Sequence, residues 1–302
     1  MAISRSQLVK ELEPGLNALF GLEYKRYENQ HAEIYTAENS DRAFEEEVML
    51  SGFGNAQVKG EGSGVSFDEA QETFTARYTH ETVALAFAIT EEAIEDNLYD
   101  RLASRYTKAL ARSMSNAKQV KAVEPLINGF GGGFTSGDGA NLFSTSHSTV
   151  SGSFQNTLTT QADLNETSLE QSLIDIGQMT DERGLRVAAR GVKMIIPSEL
   201  QFTAERLMKS QGRTGTADND INAIVSMGMI PQGYRVNNYL TDTDAFFILT
   251  DVPNGMKMFT RAPLTTAMEG DFDTGNVRYK ARERYSFGVS DPRGIFGVSG
   301  AA

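Results

Sequence analysis

The stretch EGDFDTGNVRYKARERYSFGVSDPRG, residues 269–294, carries the clearest structural pattern in the chain. Between Val277 and Val289 the side chains fall into two alternating sets, one mostly large and apolar and the other cationic. A period of two with this contrast is typical of a strand that buries one face. The pattern therefore predicts an acidic turn, a half-buried strand, and a second turn closed by Pro292 and Gly294. The first set is Val277, Tyr279, Ala281, Glu283, Tyr285, Phe287 and Val289, and the second is Arg278, Lys280, Arg282 and Arg284.

Composition narrows the class of protein. With 302 residues and 40% hydrophobic content, the chain can bury a substantial core in one large domain or two joined ones. The absence of cysteine excludes disulfides, thiolate metal sites and thiol nucleophiles. A formal net charge of −12 disfavours broad adhesion to nucleic acid. No apolar run is long enough to cross a bilayer and no secretion signal is evident, so no membrane association is predicted.

Residues 45–90 predict a long hairpin with a glycine-rich tip. Glycines at positions 52, 54, 60, 62 and 64 separate two strand-like flanks. On the return flank the alternating apolar set changes face near His80, which predicts a bend or bulge there. Such an arm has few partners in its own domain, so we expect another subunit to cover it. The candidate inter-subunit contacts in this arm are Gly52, Gly54, Lys59 and Gly62.

A long helix is expected next. Thr90 is a candidate N-cap, and Glu91 and Glu92 would complement the helix dipole. The helix is expected to continue to the region before Pro125, a length of about 50 Å, and to act as a structural spine. Its apolar stripe steps by four residues and comprises Ile94, Leu98, Leu102, Tyr106, Leu110 and Met114.

The remaining segments indicate a mixed α+β fold. Residues up to Arg42 contain short helical patterns without a strong period, as in a terminal arm or a frayed terminus. A Gly/Ser/Thr-rich excursion, residues 128–166, is expected to be ordered by Phe134, Leu142, Phe143, Phe154 and Leu158. A helix from Thr167 to about Gly184 follows, then a strand at 192–196, a helix opened by Pro197 and Ser198, and a polar loop at 211–220. Short strands are predicted at 235–239, 246–249 and 256–259.

No catalytic, cofactor-binding or metal-ligating residue is predicted. The glycine clusters GEGSG and GFGGG lack the Gly-Lys-Ser/Thr ending of a phosphate-binding loop. His31, His80 and His147 lack metal-ligand spacing, and His80 is expected to pack in a strand. His147 lies among serines in LFSTSHS, but GxSxG is absent, so loop hydrogen bonding is favoured over a Ser–His catalytic pair. The carboxylate clusters at 45–47, 91–95, 218–220 and 271–273 are expected to be solvated, capping or inter-subunit charge.

The cationic row Arg278, Lys280, Arg282 and Arg284 has two candidate partners, nucleic acid and the acidic stretches of a neighbouring subunit. No aromatic residues are interleaved on the same face, as single-strand binders require. Because the rest of the protein is acidic, salt-linked contacts between subunits are the favoured interpretation.

Several segments, in this order, resemble the phage Mu-like major head subunits, which belong to the Hong Kong 97-type capsid proteins. The resemblance extends from about Lys108 to the end of the chain. It rests on KALARSMSNAK (108–118), LFSTSHS (142–148), SLEQSLIDIGQMTDERG (168–184), VKMIIPSEL (192–200), TADNDINAI (216–224), YLTDTDAFFILTDVPNGMKMF (239–259) and the C-terminal stretch.

The resemblance implies a wedge-like, non-enzymatic subunit. Its parts would be an N-terminal arm (1–42), an extended hairpin loop (43–82), a peripheral domain with the spine helix and the glycine-rich excursion (83–166), an axial domain (167–262) and a C-terminal strand returning to the peripheral domain (263–302). Copies would form hexamers and pentamers of an icosahedral head around double-stranded DNA, without sequence-specific binding, in the host bacterial cytoplasm.

The resemblance also implies partners and leaves alternatives. Because the chain starts directly at the arm, any scaffolding protein is expected to be separate, and portal and decoration proteins are possible partners. Lys59 lies in the hairpin loop, but no motif supports a crosslinking site. The alternatives are a cellular nanocompartment shell of the same fold and a soluble hydrolase that uses the His147 loop.

Overall fold

The computed structural model describes residues 5–90, 92, 99–213, 220–271 and 275–301. The described residues form helices and strands that are mixed along the chain, as the sequence predicts. The helices are α1 (Arg5–Arg26), α2 (Tyr99–Ile127), α3 (Glu166–Gln178), α4 (Gln201–Lys209) and α5 (Ala223–Met227). The strands are β1 (Thr36–Asn39), β2 (Phe44–Leu50), β3 (Glu72–Thr79), β4 (Glu81–Ile89), β5 (His147–Thr149), β6 (Gly152–Phe154), β7 (Gly191–Ile196), β8 (Tyr234–Val236), β9 (Phe246–Thr250), β10 (Met256–Gly270), β11 (Val277–Val289) and β12 (Ile295–Val298). Within the described residues, no helix combines the length and apolar character needed to cross a bilayer.

Strand β11 lies in the centre of a four-stranded sheet with the order β1-β10-β11-β4. The predicted alternation is confirmed, because Tyr279, Ala281 and Glu283 are buried whereas Arg278, Lys280 and Arg282 are exposed. The predicted extent of its partner is wrong, since β10 continues far beyond Phe259, to Gly270. Proline is unfavourable inside a strand, but register shifts between Thr260 and Thr265 accommodate Pro263 within β10.

Helices α1 and α2 cover the buried face of this sheet. Leu16 and Phe20 of α1 pack with Leu110 and Met114 of α2 against Tyr279. No strong helical period was predicted before Arg42, but α1 is a 22-residue helix. Pro14 and Gly15 interrupt its apolar pattern. The buried apolar side chains in its described part are Leu16 and Phe20, an i, i+4 pair on one helix face.

Helix α2 is the predicted spine, with 29 described residues and a length of about 43 Å. Its predicted beginning, including Ile94 and Leu98, lies outside the described residues. The end predicted before Pro125 is wrong, because the helix continues to Ile127 and Asn128 N–H still donates to Glu124 O. Leu110 and Met114 are buried as predicted, but Tyr106 is 49% exposed. A step of four residues advances by more than one turn, so such a stripe drifts across the helix surface.

A second four-stranded sheet has the order β12-β9-β7-β8 and packs against α3. Helix α3 begins with a capping box formed by Asn165 and Ser168. It was expected to end near Gly184 but ends at Gln178, because Met179 is extended and its carbonyl accepts from Val187 N–H. Residues 180–186 instead form a tight turn, with Gly184 at φ +82°. The predicted strand at 192–196 and the helix that follows Pro197 are confirmed.

A shared hydrophobic cluster joins the two sheets. Tyr285 from the first sheet, Phe247 from the second, and Leu126 from α2 all belong to it. Leu142 and Phe143, from the excursion at 128–166, fill the same cluster. The expectation that apolar anchors order this excursion is therefore confirmed.

The chain changes sheets at His80. Strand β3 pairs only with β2 in a two-stranded ribbon, whereas β4 begins one residue after His80 and pairs with β11. The His80 side chain is buried at this junction, with Nδ1 2.9 Å from Ser286 Oγ and Nε2 2.9 Å from Ser40 Oγ. This position explains the predicted change of face, because the two halves of the flank cover different surfaces.

Candidate functional site

The loop between β2 and β3, residues 51–71, contains four of the predicted contact residues. Gly52 and Gly62 have φ of +64° and +78°, a backbone conformation that favours glycine. Gly52, Lys59 and Gly62 are exposed, and Gly54 is partly buried. The loop therefore projects from the ribbon, as the glycine pattern predicts.

Four apolar side chains in the loop face solvent. Phe53 is 62% exposed, Val58 100%, Val65 69% and Phe67 98%. The sequence analysis counted the glycines but missed these residues, although their clustering in a segment without a period was a usable signal. Exposed clustered apolar side chains mark an interaction surface.

The loop is closed at its base and held at one point further out. Ser51 N–H donates to Gln71 O at 2.8 Å, and Gln71 N–H donates to Ser51 Oγ at 3.0 Å. Asp68 Oδ2 accepts from Gly54 N–H at 2.6 Å, and Asp68 Oδ1 lies 3.3 Å from Arg183 Nη2. The backbone N–H groups of Gly54 and Glu69, followed by the Arg183 charge, lower the pKa of the Asp68 carboxyl.

The cationic row of β11 lies on the outer face of the first sheet. Arg278 pairs with Asp271, and Arg284 Nε points to His80 O at 3.5 Å. Among the described residues, no ion pair is formed by Lys280 or Arg282. The row and the loop are not joined by any hydrogen bond or ion pair within the described part of the chain.

Small side chains border the cationic row on both sides, a feature that the sequence analysis missed. On β4, Ala86 and Ala84 lie opposite Lys280 and Arg282. On β10, Ala267 and Thr265 occupy the corresponding positions. Alanine is depleted in strands, so its repetition here is unusual. Because these neighbouring side chains are short, the long cationic side chains project beyond them. The signal was present in the alternation of ETVALAFAI.

Behind the cations, a buried ion pair links β11 to the helices. Glu283 is 2% exposed, its Oε2 lies 3.2 Å from Lys118 Nζ, and Tyr24 Oη donates to the same oxygen at 3.5 Å. Burial raises the pKa of Glu283 despite the opposing effect of Lys118. This pair fixes α1 and α2 on the sheet, with Glu283 buried and Lys118 15% exposed.

The acidic cluster at 45–47 is more than solvated charge, which corrects the prediction. Glu47 forms an ion pair with Lys257, whose Nζ also lies 3.1 Å from Glu38 Oε1. The Lys257 side chain is only 8% exposed. These charges attach the base of the ribbon to the first sheet. Of the other clusters, residues 91, 93–95, 218–219 and 272–273 lie outside the described residues.

His147 has the environment of a structural residue. It is fully buried, its Nδ1 lies 2.7 Å from Asp138 Oδ2, and its Nε2 lies 3.0 Å from Asn156 Oδ1. The Asn156 amide donates to backbone carbonyls, including Leu142 O at 2.7 Å, so its oxygen faces the imidazole. Both ring nitrogens face protein oxygens and the side chain is fully buried, so a substrate cannot reach either nitrogen, as a general base would require. Among the described residues, no three His, Asp or Glu side chains are grouped to hold a metal ion.

Comparison with protein families finds a match for most of the chain. A family model described as phage capsid protein matches residues 72–298, about three quarters of the chain. No curated protein sequence matches the chain.

Solved structures match nearly the whole chain at low sequence identity. A virus-like particle from Pyrococcus furiosus is 11% identical with a TM-score of 0.52, covering 94% of this chain and 97% of that one. The capsid of Myoviridae phage XM1 is 12% identical with a TM-score of 0.51, covering 88% and 89%. A structure of Mycobacterium phage Ogopogo is 13% identical with a TM-score of 0.52, covering 90% and 92%.

Proposed function

Because the chain belongs to the phage capsid protein family, we propose that it is the major capsid subunit of a tailed bacteriophage or prophage. Its mixed fold is that of the Hong Kong 97-type capsid proteins, as predicted from the sequence. Copies assemble as hexamers and pentamers into an icosahedral shell in the host bacterial cytoplasm. The shell encloses double-stranded DNA without reading its sequence and becomes part of the virion. The Mu-like head subunits are the proposed subfamily.

The observation that carries this proposal is the loop at 51–71. It exposes Phe53, Val58, Val65 and Phe67 and makes little contact with its own subunit. In an isolated soluble protein this surface would be an aggregation hazard, whereas a neighbouring copy would bury it. Lys59 and the loop glycines belong to this contact surface.

The cationic face supplies the second half of the contact. Lys280 and Arg282 project from a smooth border of small residues, and a protein of net charge −12 offers acidic stretches on every neighbouring copy. Arg278 and Arg284 flank them and extend the row. Charge complementarity of this kind selects the register and the partner more than it adds affinity. Each contact is modest and the shell repeats it many times.

For the parts of the subunit we propose the boundaries expected from the sequence. The arm is 1–42, the hairpin loop 43–82, the peripheral domain 83–166, the axial domain 167–262 and the returning C-terminal segment 263–302. A separate scaffolding protein, a portal and decoration proteins are the further partners. In this proposal the subunit performs no enzymatic reaction and uses no cofactor, and His147 is a buried structural residue.

A cellular nanocompartment shell is the second candidate. The similarity to a virus-like particle from Pyrococcus furiosus favours keeping it, because that structure shares the fold over nearly its whole length. The contents of purified particles distinguish the two candidates. Nucleic acid of genome length supports the phage head, and a packaged enzyme supports the nanocompartment.

Electron microscopy of the purified chain, with sedimentation at several concentrations, tests the proposed assembly. We expect shells, tubes or rings of five or six copies, and we expect deletion of residues 52–64 to prevent them. Arg282→Glu should weaken assembly, whereas Arg112→Glu, an equal charge change on the exposed side of α2, should not. A wild-type chain that stays monomeric or dimeric with scaffold and crowding agent present would contradict the proposal.

A further inference from the structure

Beyond its base, the loop at 51–71 is held by one side chain of the subunit body within the described residues. Arg183 Nη2 lies 3.3 Å from Asp68 Oδ1 and also donates to the backbone carbonyl of Glu69. The two acceptors are neighbours on the returning side of the loop. A guanidinium is suited to this contact because it presents several donors in a fixed plane.

Asp68 connects both sides of the loop to this guanidinium. Its Oδ2 accepts from Gly54 N–H at 2.6 Å, on the outgoing side. Its Oδ1 accepts from Glu69 N–H at 2.9 Å and faces Arg183. One carboxylate therefore joins the outgoing side of the loop, the returning side and the body.

Arg183 itself projects from a rigid base. The turn at 180–186 is closed by a bridge between Thr180 and Arg186, and Asp181 Oδ1 accepts from Arg183 N–H at 2.9 Å. Glu182, on the other side of the same turn, forms a buried ion pair with Arg293 at 2.7 Å. Arg293 Nε also donates to Thr180 O at 2.7 Å. The turn is thus attached to the core, and the Arg183 side chain connects the loop to this turn.

We propose that Arg183 is a clamp that fixes the direction of its own subunit's loop, and through it the angle at which neighbouring copies meet. The inference rests on the proposed function of the loop as a contact arm. About ten residues on each side give the loop a reach of at most about 35 Å. Over that reach, a rotation of about 10° at the base displaces the tip by about 6 Å. Such a displacement would change the curvature of a repeated assembly without removing the contact.

The direction of the loop can be measured on the isolated subunit. The chain has no cysteine, so Lys59→Cys and Thr159→Cys place one spin label in the loop and one on the body. We expect one narrow distance distribution by electron paramagnetic resonance in the wild-type background. Arg183→Ala and Asp68→Asn should each broaden it, and the double variant should add nothing, because both remove the same contact.

Glu69→Gln is the matched control. It removes one loop carboxylate, as Asp68→Asn does, but the clamp uses only the backbone of Glu69. Its distance distribution should equal that of the wild type. High salt should broaden the wild-type distribution toward that of Arg183→Ala, because the ion pair is partly exposed. Unchanged distributions in Arg183→Ala and Asp68→Asn would overturn the clamp.

Particle size tests the second half of the proposal. Arg183→Ala and Asp68→Asn should assemble into shells or tubes of broader diameter distribution than the wild type, and Glu69→Gln should not. Uniform wild-type diameters from a variant whose loop has become variable would overturn the link to curvature. A wild-type chain that does not assemble refutes the proposed function instead, while the spin-label measurement still decides the clamp.

Discussion

Glu283 is a buried carboxylate whose ion-pair partner among the described residues is Lys118 alone. It lies on the apolar face of β11, where the alternation demands a buried side chain, and only its Oε2 is paired. Among the described residues, none offers a hydrogen bond to its Oε1. A buried carboxylate in this state relies on Lys118 for compensation, and removing one member of a buried pair costs more than the pair contributes.

Lys118→Met should therefore destabilise the unassembled subunit by about 3–5 kcal/mol near neutral pH, measured by urea unfolding. Burial already raises the pKa of Glu283, and losing Lys118 raises it further. A raised carboxyl pKa means that the folded state holds the proton, so stability is present at low pH and lost as pH rises through that pKa. The loss should be larger at about pH 7.5 than at about pH 5.

Lys121→Met is the control for this prediction. Lys121 lies one turn further along α2 and pairs with Glu81, but its side chain is 33% exposed and that of Glu81 is 61% exposed. An exposed pair contributes about 0–1 kcal/mol, so this substitution should change stability little. Equal effects of the two substitutions would contradict the importance of burial.

The contacts between strands and turns depend on a few close approaches of the backbone. The start of β10 and the turn after β11 come together at Gly255 and Gly294. A methyl group on Gly255 would lie 2.8 Å from Gly294 Cα, closer than such atoms approach. The same crossing is fixed by Ser290 N–H, which donates to Gly255 O at 3.0 Å. The neighbouring atom is backbone and has little freedom to move.

Gly255→Ala should destabilise the subunit by about 1–3 kcal/mol, since the turn after β11 must shift to relieve the overlap. Gly177→Ala is the comparison, because Gly177 lies in α3 with nothing within 4 Å of the added methyl. An open helical glycine replaced by alanine gains up to about 1 kcal/mol. Chemical denaturation of both variants should show shifts of opposite sign, and a shift of the same sign would refute this account of the crossing.

Among the described residues, the two four-stranded sheets contribute to one shared buried cluster. Phe247 of β9 and Tyr285 of β11 belong to the same buried cluster, with Leu126 of α2 packed between the sheets. When two regions share buried side chains, unfolding of one exposes the contacts of both. Neither sheet can therefore open without exposing part of the other. The domain names proposed above therefore describe regions of the shell subunit and not independent folding units.

Calorimetry of the unassembled subunit should accordingly show one unfolding transition. Phe247→Ala should lower its midpoint while keeping a single transition, with a loss of about 3–5 kcal/mol. Phe202→Ala, at a side chain that is 74% exposed, should stay within about 0.5 kcal/mol of the wild type. Two separate transitions, or a Phe247→Ala variant that unfolds in two steps, would show that the regions fold independently.

The sequence predicted the elements whose two faces differ strongly. Strand β11 alternates cations with large residues, so its period of two is recognisable in the sequence. The same is true of the hairpin flank around His80. Strand β10 was predicted too short, because small residues and Pro263 weaken its contrast. The turn that carries Arg183 was assigned to a helix, since nothing in its local sequence opposes one. That turn is specified by Arg293, a partner more than a hundred positions away, and a local pattern cannot contain such information.

The change of sheet at His80 has a mechanical consequence. The hairpin loop enters the body along β3, and after His80 the chain becomes β4, which pairs with β11 from Glu81 to Ile89. A neighbouring copy that pulls on the hairpin loop loads this strand pair along the strand axis. In that direction the hydrogen bonds between β4 and β11 are loaded at the same time, in shear. They do not break one after another, as they would under a force perpendicular to the strands. Tension from outside the subunit is therefore delivered to the strand pairing that is best oriented to resist it.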